Sequence, residues 1–362
     1  MGFLNKKIFN GSGVMGLDLS DLSVKVARIE SDGKIEKVVS YANVPIANGA
    51  IADGEIKDKQ QVVNVIKKAI ETAGPEKIKT KKVICSLPET KAFLRIITIP
   101  EMEKEEIREA IKWEIEATIP LLLDQIYYDW QVLENSFVKE KGRMNVLVVA
   151  VGKNIVDQVM DVLETSSLEV VGLEIESIAQ SRSLLDEKKE DSSVLLVDIG
   201  DRRTSFVISD KNIPCFTSSI PLSGTSLTNA ISKEMGVSFE EAEKIKFQYG
   251  IGSDFKNDVI FKAVQPVLEN LAVEIQRSID FYVSNLQYST GVDRIVMCGG
   301  GSNTKGIVPY LTKRLGREVE LADPWVNMHL GKELPCIEKE AASQYATVIG
   351  LALKGNQYEN LS

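Results

Sequence analysis

Two aspartates carry the strongest chemical pattern in this sequence. Asp18 lies in Gly16-Leu17-Asp18-Leu19-Ser20, followed by the alternating run Val24-Lys25-Val26-Ala27-Arg28-Ile29. Asp198 lies in Leu195-Leu196-Val197-Asp198-Ile199-Gly200, followed by Thr204-Ser205-Phe206-Val207-Ile208. Each unit reads as strand, acidic tip, tight turn, strand. Turn N–H groups can wrap phosphate oxygens. Two carboxylates facing each other can hold a hydrated magnesium ion on those phosphates. A third element comes later: the strand Arg294 to Cys298 runs into Gly299-Gly300-Gly301-Ser302, and a glycine-rich loop lets backbone approach a nucleotide closely. Asp-Ile-Gly alone is an ordinary turn; the ordered set of three is specific.

These groups need a scaffold, and the spacing describes one. The two aspartates stand about half a chain length apart, so the sequence reads as two related halves. Val62 to Thr72 has helical apolar spacing and ends at Gly74-Pro75. Val83 to Cys85 and Val146 to Val151 read as buried strands. Ser238 with Glu241 forms a capping-box pattern for a helix to about Tyr249, and a longer helix covers about Gln265 to Leu286. Pro100 to Pro120 encloses an amphipathic helix with Ile107, Ile111 and Ile115 four apart, Ala110 and Trp113 near that face, and glutamates in its first turns. Tyr127, Tyr128 and Trp130 come next. About 86–164 reads as an inserted αβ unit, and soft joints are expected at Asp186 to Ser193 and Gly250 to Lys256.

Composition removes other chemistries. The chain has 362 residues, 44% apolar and 26% charged, with a formal charge of -9. That length suits two or three domains. An acidic chain without a long basic run is a poor nucleic-acid binder. No apolar run is long enough to cross a bilayer. His329 is the single histidine, which excludes multi-histidine zinc sites and leaves histidine-assisted nucleophiles one residue to rest on. The four cysteines are scattered, with no CxxC pair, and no signal peptide is read; both point to a reducing cytoplasm. Phe3, Leu4, Ile8 and Phe9 beside Lys6 and Lys7 form a small apolar face, read as a lightly docked terminus or a weak membrane contact.

The order of phosphate hairpin, inserted unit, second hairpin and terminal Gly-Gly-Gly loop resembles the actin-like ATPase superfamily. Within it the chain is most similar to the PilM family of type IV pilus assembly. The stretches that carry the resemblance are Met15 to Ser20, Ser86-Leu87-Pro88, Pro100 to Pro120 with Tyr127 to Trp130, Leu196 to Gly200, Ala242 to Lys246, Met297 to Ser302 and Gly350 to Leu353. The resemblance implies an α/β, actin-like (ribonuclease H-like, duplicated) two-domain fold with an FtsA/PilM-type inserted subdomain. Its domains would be 13–190, with the insert at 86–164, and 191–353, with a smaller subdomain at 226–292. Each would hold a five-stranded mixed sheet, with nucleotide in the cleft between them.

The same resemblance implies ATP and Mg2+ as cofactors. Asp18 and Asp198 match the magnesium-facing pair, and Lys25 the lysine reaching the β- and γ-phosphates. Ser20, Gly200 and Thr204 match positions of the two phosphate hairpins. Glu243 and Lys246 match a pair around ribose and adenine. Gly299, Gly300 and Gly301 match the adenosine loop, with Ser302 and Asn303 beside it. Glu176 falls where related ATPases position attacking water. It also implies a partner, the N-terminal cytoplasmic tail of a PilN-like inner-membrane protein, held in a groove beside the insert. The protein would sit peripherally at the inner face of the membrane. Pro100 to Pro120 and Tyr127 to Trp130 are expected to border the groove, or Trp113 and Trp130 to fill the insert's core.

The sequence departs from the family pattern at two places. Ser20 stands where a glycine is usual, and Asp201, Arg202 and Arg203 stand where small residues come after Asp-Ile-Gly. The arginines either crowd the γ-phosphate pocket or contact it. They argue against efficient hydrolysis more than against binding, because most donors in such hairpins are backbone groups. A small-molecule kinase on the same fold is the alternative reading, without an obvious general base. A division-protein reading would want an amphipathic tail where the sequence has polar Lys354 to Ser362.

Overall fold

The alternation after Asp18 folds as a hairpin. Strands Met15–Leu19 and Ser23–Ser31 pair antiparallel and set Asp18 opposite Lys25. The computed structural model describes residues 13–31, 33–119, 121–133, 142–189, 193–252, 259–285, 291–330 and 336–361. The N-terminal apolar face (Phe3, Leu4, Ile8, Phe9), Pro120, Leu286, and positions 190–192 and 253–256 of the expected joints lie outside the described residues.

Met15–Leu19 is central in the first sheet. Lys82–Leu87 lies parallel beside it, with Glu169–Ile175 beyond. On its other side the chain runs antiparallel through Ser23–Ser31 and Glu36–Pro45. A short edge segment, Gly74–Pro75, pairs with Ser40 and Tyr41, so this sheet has six strands instead of the five expected. The second half repeats the plan with five strands. Ser193–Ile199 is central, antiparallel to Thr204–Asp210 and then Ile213–Ile220 on one side. Arg294–Cys298 and Val319–Leu321 continue in parallel on the other. In both sheets the aspartate is the penultimate residue of the central strand, at the carboxyl end where ligands of such sheets gather.

Helix Lys59–Thr72, capped by Asp58 accepting from the Gln61 N–H, buries Val62, Val63, Ile66 and Ala69 on the first sheet. The C-terminal helix Ala346–Leu361 returns from the second half to pack on the first sheet and on helix Glu176–Leu184. Its run Ala346 to Leu353, apolar apart from Thr347, is buried all round, as a helix apolar on every side must be. The packing is backbone to backbone: a Cβ on Gly350 would stand 1.9 Å from the Ala179 carbonyl oxygen. Gly350→Ala is therefore expected to cost ~1–3 kcal/mol or more by overpacking. A thermal melt should show a fall of several degrees, and an unchanged melt would mean that the two helices separate freely.

The insert holds a three-stranded antiparallel sheet, with Arg143–Gly152 between Ala92–Pro100 and Ile126–Leu133. Strand alternation gives this sheet two faces. Val146, Val148 and Ala150 pack under helix Lys104–Thr118 through Ile107, Ile111 and Ile115. Leu147 and Val151 turn the other way, into the core of the first sheet. Helix Lys153–Thr165 also packs there, through Ile155, Val159, Val162 and Leu163. Trp113 departs from the expectation that it fills the insert's core: it is 72% exposed. Residues two apart on a helix do not share a face, so a buried Ile111 points Trp113 outward.

Both joints are tied where they are described. The Glu187 N–H donates to Asn327 Oδ1, and Asn212 Nδ2 donates to the Asp186 carbonyl. Ile251 is fully buried, and its N–H donates to the Lys305 carbonyl.

Candidate functional site

The two hairpins close in the same way. The Ser20 N–H donates to the Ser23 carbonyl at 3.0 Å, and the Gly200 N–H to the Arg203 carbonyl at 2.9 Å. Both bonds stand at the same offset from their aspartates. The turns face one cleft, lined by Asp18, Ser20 and Lys25 from one side and by Asp198, Gly200, Gly299 and Gly300 from the other, with Glu176 between.

Asp18 is buried and held by neighbours. Its Oδ1 accepts from the Ser86 hydroxyl at 3.0 Å, and that hydroxyl in turn accepts from the Leu19 N–H at 2.9 Å. Lys25 Nζ stands 3.4 Å from Asp18 Oδ2. Asp198 Oδ2 accepts from Gln180 Nε2 at 2.5 Å, and Gln180 also reaches Thr347 Oγ1 at 3.1 Å. Burial pushes the Asp198 carboxyl up to about 6; Lys25 and the Gln180 bond pull against it, while Asp18 and Asp201 push with it. Glu176 opens helix Glu176–Leu184 and keeps part of its surface on the cleft. Burial, then the Asp18, Glu89 and Asp198 carboxylates, push its carboxyl well above the usual range.

Glu89 stands two residues after the strand Lys82–Leu87. One oxygen accepts the Ser177 N–H at 3.0 Å, and the other, Oε1, is buried without a hydrogen-bond partner among the described residues. Burial raises its carboxyl too.

Carboxylates outnumber cations in the cleft. Asp18, Asp21, Asp53, Asp198 and Asp201 face Lys25, Arg202 and Arg203, before the raised carboxyls of Glu89 and Glu176 are counted. A bare polyphosphate would be repelled, so the donor set fits phosphates that arrive with a divalent cation. Among the described residues no group of three or more metal-ligating side chains stands ready as a cage. Magnesium suits such a site, since it keeps several waters and takes one or two carboxylates plus phosphate oxygens.

Gly299 is required by shape. Its φ is +81°, and a Cβ there would lie 2.1 Å from Asp198 Oδ1. Gly300 faces open space. The expected site residues Thr204, Glu243, Lys246, Gly301 and Ser302 do not line the cleft. Thr204 is fully buried and donates to the Leu222 carbonyl at 2.7 Å. Ser302 is 2% exposed and donates to the Gly299 carbonyl at 2.7 Å, closing the loop from behind. Lys246 Nζ is spent on the Gly224 carbonyl, Thr228 Oγ1 and Glu243 Oε2 at 3.2, 2.7 and 2.8 Å. The Glu243–Lys246 pair thus stands behind Gly224, which backs on to Gly301. Gly301 itself is buried against Ile199.

Sequence reasoning missed Ser86 and Gln180, which hold the two aspartates, and Glu89. Ser86 lies in the family-like stretch Ser86-Leu87-Pro88 and Glu89 directly follows it, whereas nothing local marks Gln180.

A second cavity, of about 540 Å³, lies between the insert's sheet and the first half. Tyr127, Leu147, Val149, Val151, Val156 and Ile178 line it. At its polar end Glu174 accepts from Arg182 at 2.6 and 2.7 Å and from Lys354 at 2.8 Å. Burial alone would raise the Glu174 carboxyl, but Arg182 and Lys354 outweigh it and hold it below its usual value. Strand Ile126–Leu133 lies at the edge of its sheet beside this groove. Helix Lys104–Thr118 does not border it, contrary to expectation, because it covers the opposite face of the same sheet.

Comparison with known proteins places this geometry. A family model described as type IV pilus assembly protein PilM matches residues 16–356. A solved chain titled as the PilM-PilN type IV pilus biogenesis complex is similar at 25% identity and a TM-score of 0.80, covering 95% of this chain and 98% of that one. MreB 5 of Spiroplasma citri, solved with AMPPNP, shares the fold at 14% identity and a TM-score of 0.56, covering 97% and 98%. The cell division protein FtsA of Enterococcus hirae is 25% identical, over 86% of this chain and 78% of its own. For FtsA of Buchnera aphidicola, also 25% identical, the match spans 59% of this chain and 56% of the relative's length.

Proposed function

The chain belongs to the type IV pilus assembly protein PilM family, and from that premise we propose that it is an ATP- and magnesium-binding scaffold that holds the N-terminal cytoplasmic tail of a PilN-like membrane protein. The observation that carries the nucleotide half is the facing of two like-closed hairpins, with Asp18, Lys25 and Asp198 on one cleft. The backbone of the Ser20 and Gly200 turns grips phosphate, Lys25 neutralises it, and Asp18 and Asp198 hold the ion's waters. Asp18 and Asp198 would hold a magnesium ion, which would supply the positive charge that offsets the phosphates. Gly299 and Gly300 give the adenosine a close backbone wall. Glu176 orients water at the terminal phosphate. The Glu243–Lys246 pair supports the glycine loop from behind.

The apolar groove beside the insert supports the partner half. It offers aliphatic lining, a tyrosine and a strand edge unpaired among the described residues, the features an extended peptide uses. The proposed membrane attachment is through the PilN-like partner; among the described residues no helix is long and apolar enough to cross a membrane. The proposed domains are 13–190, with the insert at 86–164, and 191–353, with the smaller subdomain at 226–292.

Titration calorimetry tests the site. ATP with magnesium is expected to bind, and chelating the magnesium should weaken it at least about tenfold, because the carboxylates then face phosphate unshielded. Equal binding with and without the ion would remove Asp18 and Asp198 from the metal role. Turnover with a panel of sugars and acids would instead favour the kinase.

A further inference from the structure

The two arginines that break the family pattern cross the cleft. Arg203 Nη1 stands 3.6 Å from Asp53 Oδ1, and its Nη2 donates to Ser219 Oγ at 3.1 Å. Its Nε is buried with no hydrogen-bond partner among the described residues. Arg202 Nη2 donates to Asn48 Oδ1. Asn48 and Asp53 belong to the first half and the arginines to the second, so these contacts tie the halves across the mouth of the phosphate site.

The far end of the tie is rigid. Asp53-Gly54 turns a two-residue hairpin between Ile51–Ala52 and Glu55–Ile56, with φ of +51° and +76°. Both turn N–H groups donate to the Asp21 carboxylate at 3.1 Å. Gly54 lies against Pro88, where a Cβ would come within 2.6 Å. The contact itself is weak. Asp53 keeps 75% of its side chain exposed and Arg203 31%, and an exposed pair at that distance contributes little.

We propose that Arg203 is the residue that reads the terminal phosphate of a nucleoside triphosphate, exchanging Asp53 for that phosphate and so releasing the Asp53 hairpin from the second half. This rests on the nucleotide reading of the cleft. Arg203 lines the cleft beside Lys25, Gly200 and Asp198. A guanidinium pairs with phosphate through parallel charge-assisted bonds, and Nη1, released from Asp53, supplies one of them beside Nη2. A diphosphate ends one group short and leaves the Asp53 pair in place.

The test is calorimetry on the full chain, with magnesium, using the β,γ-imido analogue of ATP and ADP. Arg203→Ala is expected to weaken the triphosphate analogue about tenfold or more and ADP less than about twofold. Asp53→Asn removes the competitor and should tighten the analogue about two- to fivefold without changing ADP. Arg203→Lys should restore part of the loss, as a charge without the fork. Equal loss for both nucleotides in Arg203→Ala, no loss, or weaker analogue binding in Asp53→Asn overturns the inference while the cleft remains a nucleotide site. Failure of the unmodified protein to bind either nucleotide overturns both readings. Thermal melts of all three variants confirm that folded protein was titrated.

Discussion

Lys25→Ala is expected to lower ATP affinity about ten- to a hundredfold. The charge-assisted hydrogen bond it removes is worth ~1.5–3 kcal/mol, and ~1.4 kcal/mol is a decade of affinity. ADP should lose less, because the γ-phosphate contact is missing. The alternating strand reads as if Lys25 were an exposed position, whose loss would leave stability unchanged. The structure corrects this: the Lys25 side chain is only 12% exposed and stands beside the buried carboxyl of Asp18. Its removal leaves that carboxylate without its cation, so Lys25→Ala should also cost ~1–3 kcal/mol of stability in the absence of magnesium. Adding magnesium should restore much of it by supplying the missing charge. Calorimetry with ATP and ADP, and melts with and without magnesium, measure both effects. Unchanged ATP affinity would mean that Lys25 serves Asp18 alone and that the first hairpin grips phosphate through its backbone.

Val156→Glu is expected to abolish binding of a synthetic PilN-like tail peptide, at least about a hundredfold. Val156 lines the groove from the first turns of helix Lys153–Thr165. A docked peptide would bury the new carboxylate, and an unpaired buried charge costs several kcal/mol. The fold should hold, because a partly exposed glutamate near a helix N-terminus is favoured by the helix dipole. Val156→Ala should cost only about tenfold, through lost apolar contact. Trp113→Ala is the control. Trp113 lies on the outer side of the insert helix, so tail binding should not change. Fluorescence anisotropy with a labelled peptide reads all three. A tail that binds Val156→Glu normally but fails on Trp113→Ala would move the partner to the outer face of the insert.

Much of this molecule is written in local patterns. The repeat of apolar strand, aspartate and turn identifies two related hairpins, because a strand period of two and a tight turn are properties of short segments. The Gly-Gly-Gly loop after Cys298 and the Ile107, Ile111 and Ile115 stripe are legible for the same reason. What short segments cannot carry is which distant residue completes a group. Ser86 reaches Asp18 because two strands far apart in sequence lie parallel and adjacent. Gln180 reaches Asp198 because helix Glu176–Leu184 lies at the boundary of the two halves. Lys25 is masked by alternation, which says only that a residue faces away from the sheet's core. The other half then covers that face. The same limit hid Trp113, since a helical stripe defines its own buried side but not how wide a sheet it covers. The arginines after Gly200 were visible as an anomaly in the sequence. Only the tertiary structure decided that they reach Asn48 and Asp53, because a long, flexible, charged side chain takes its partner from whatever the fold sets within its reach.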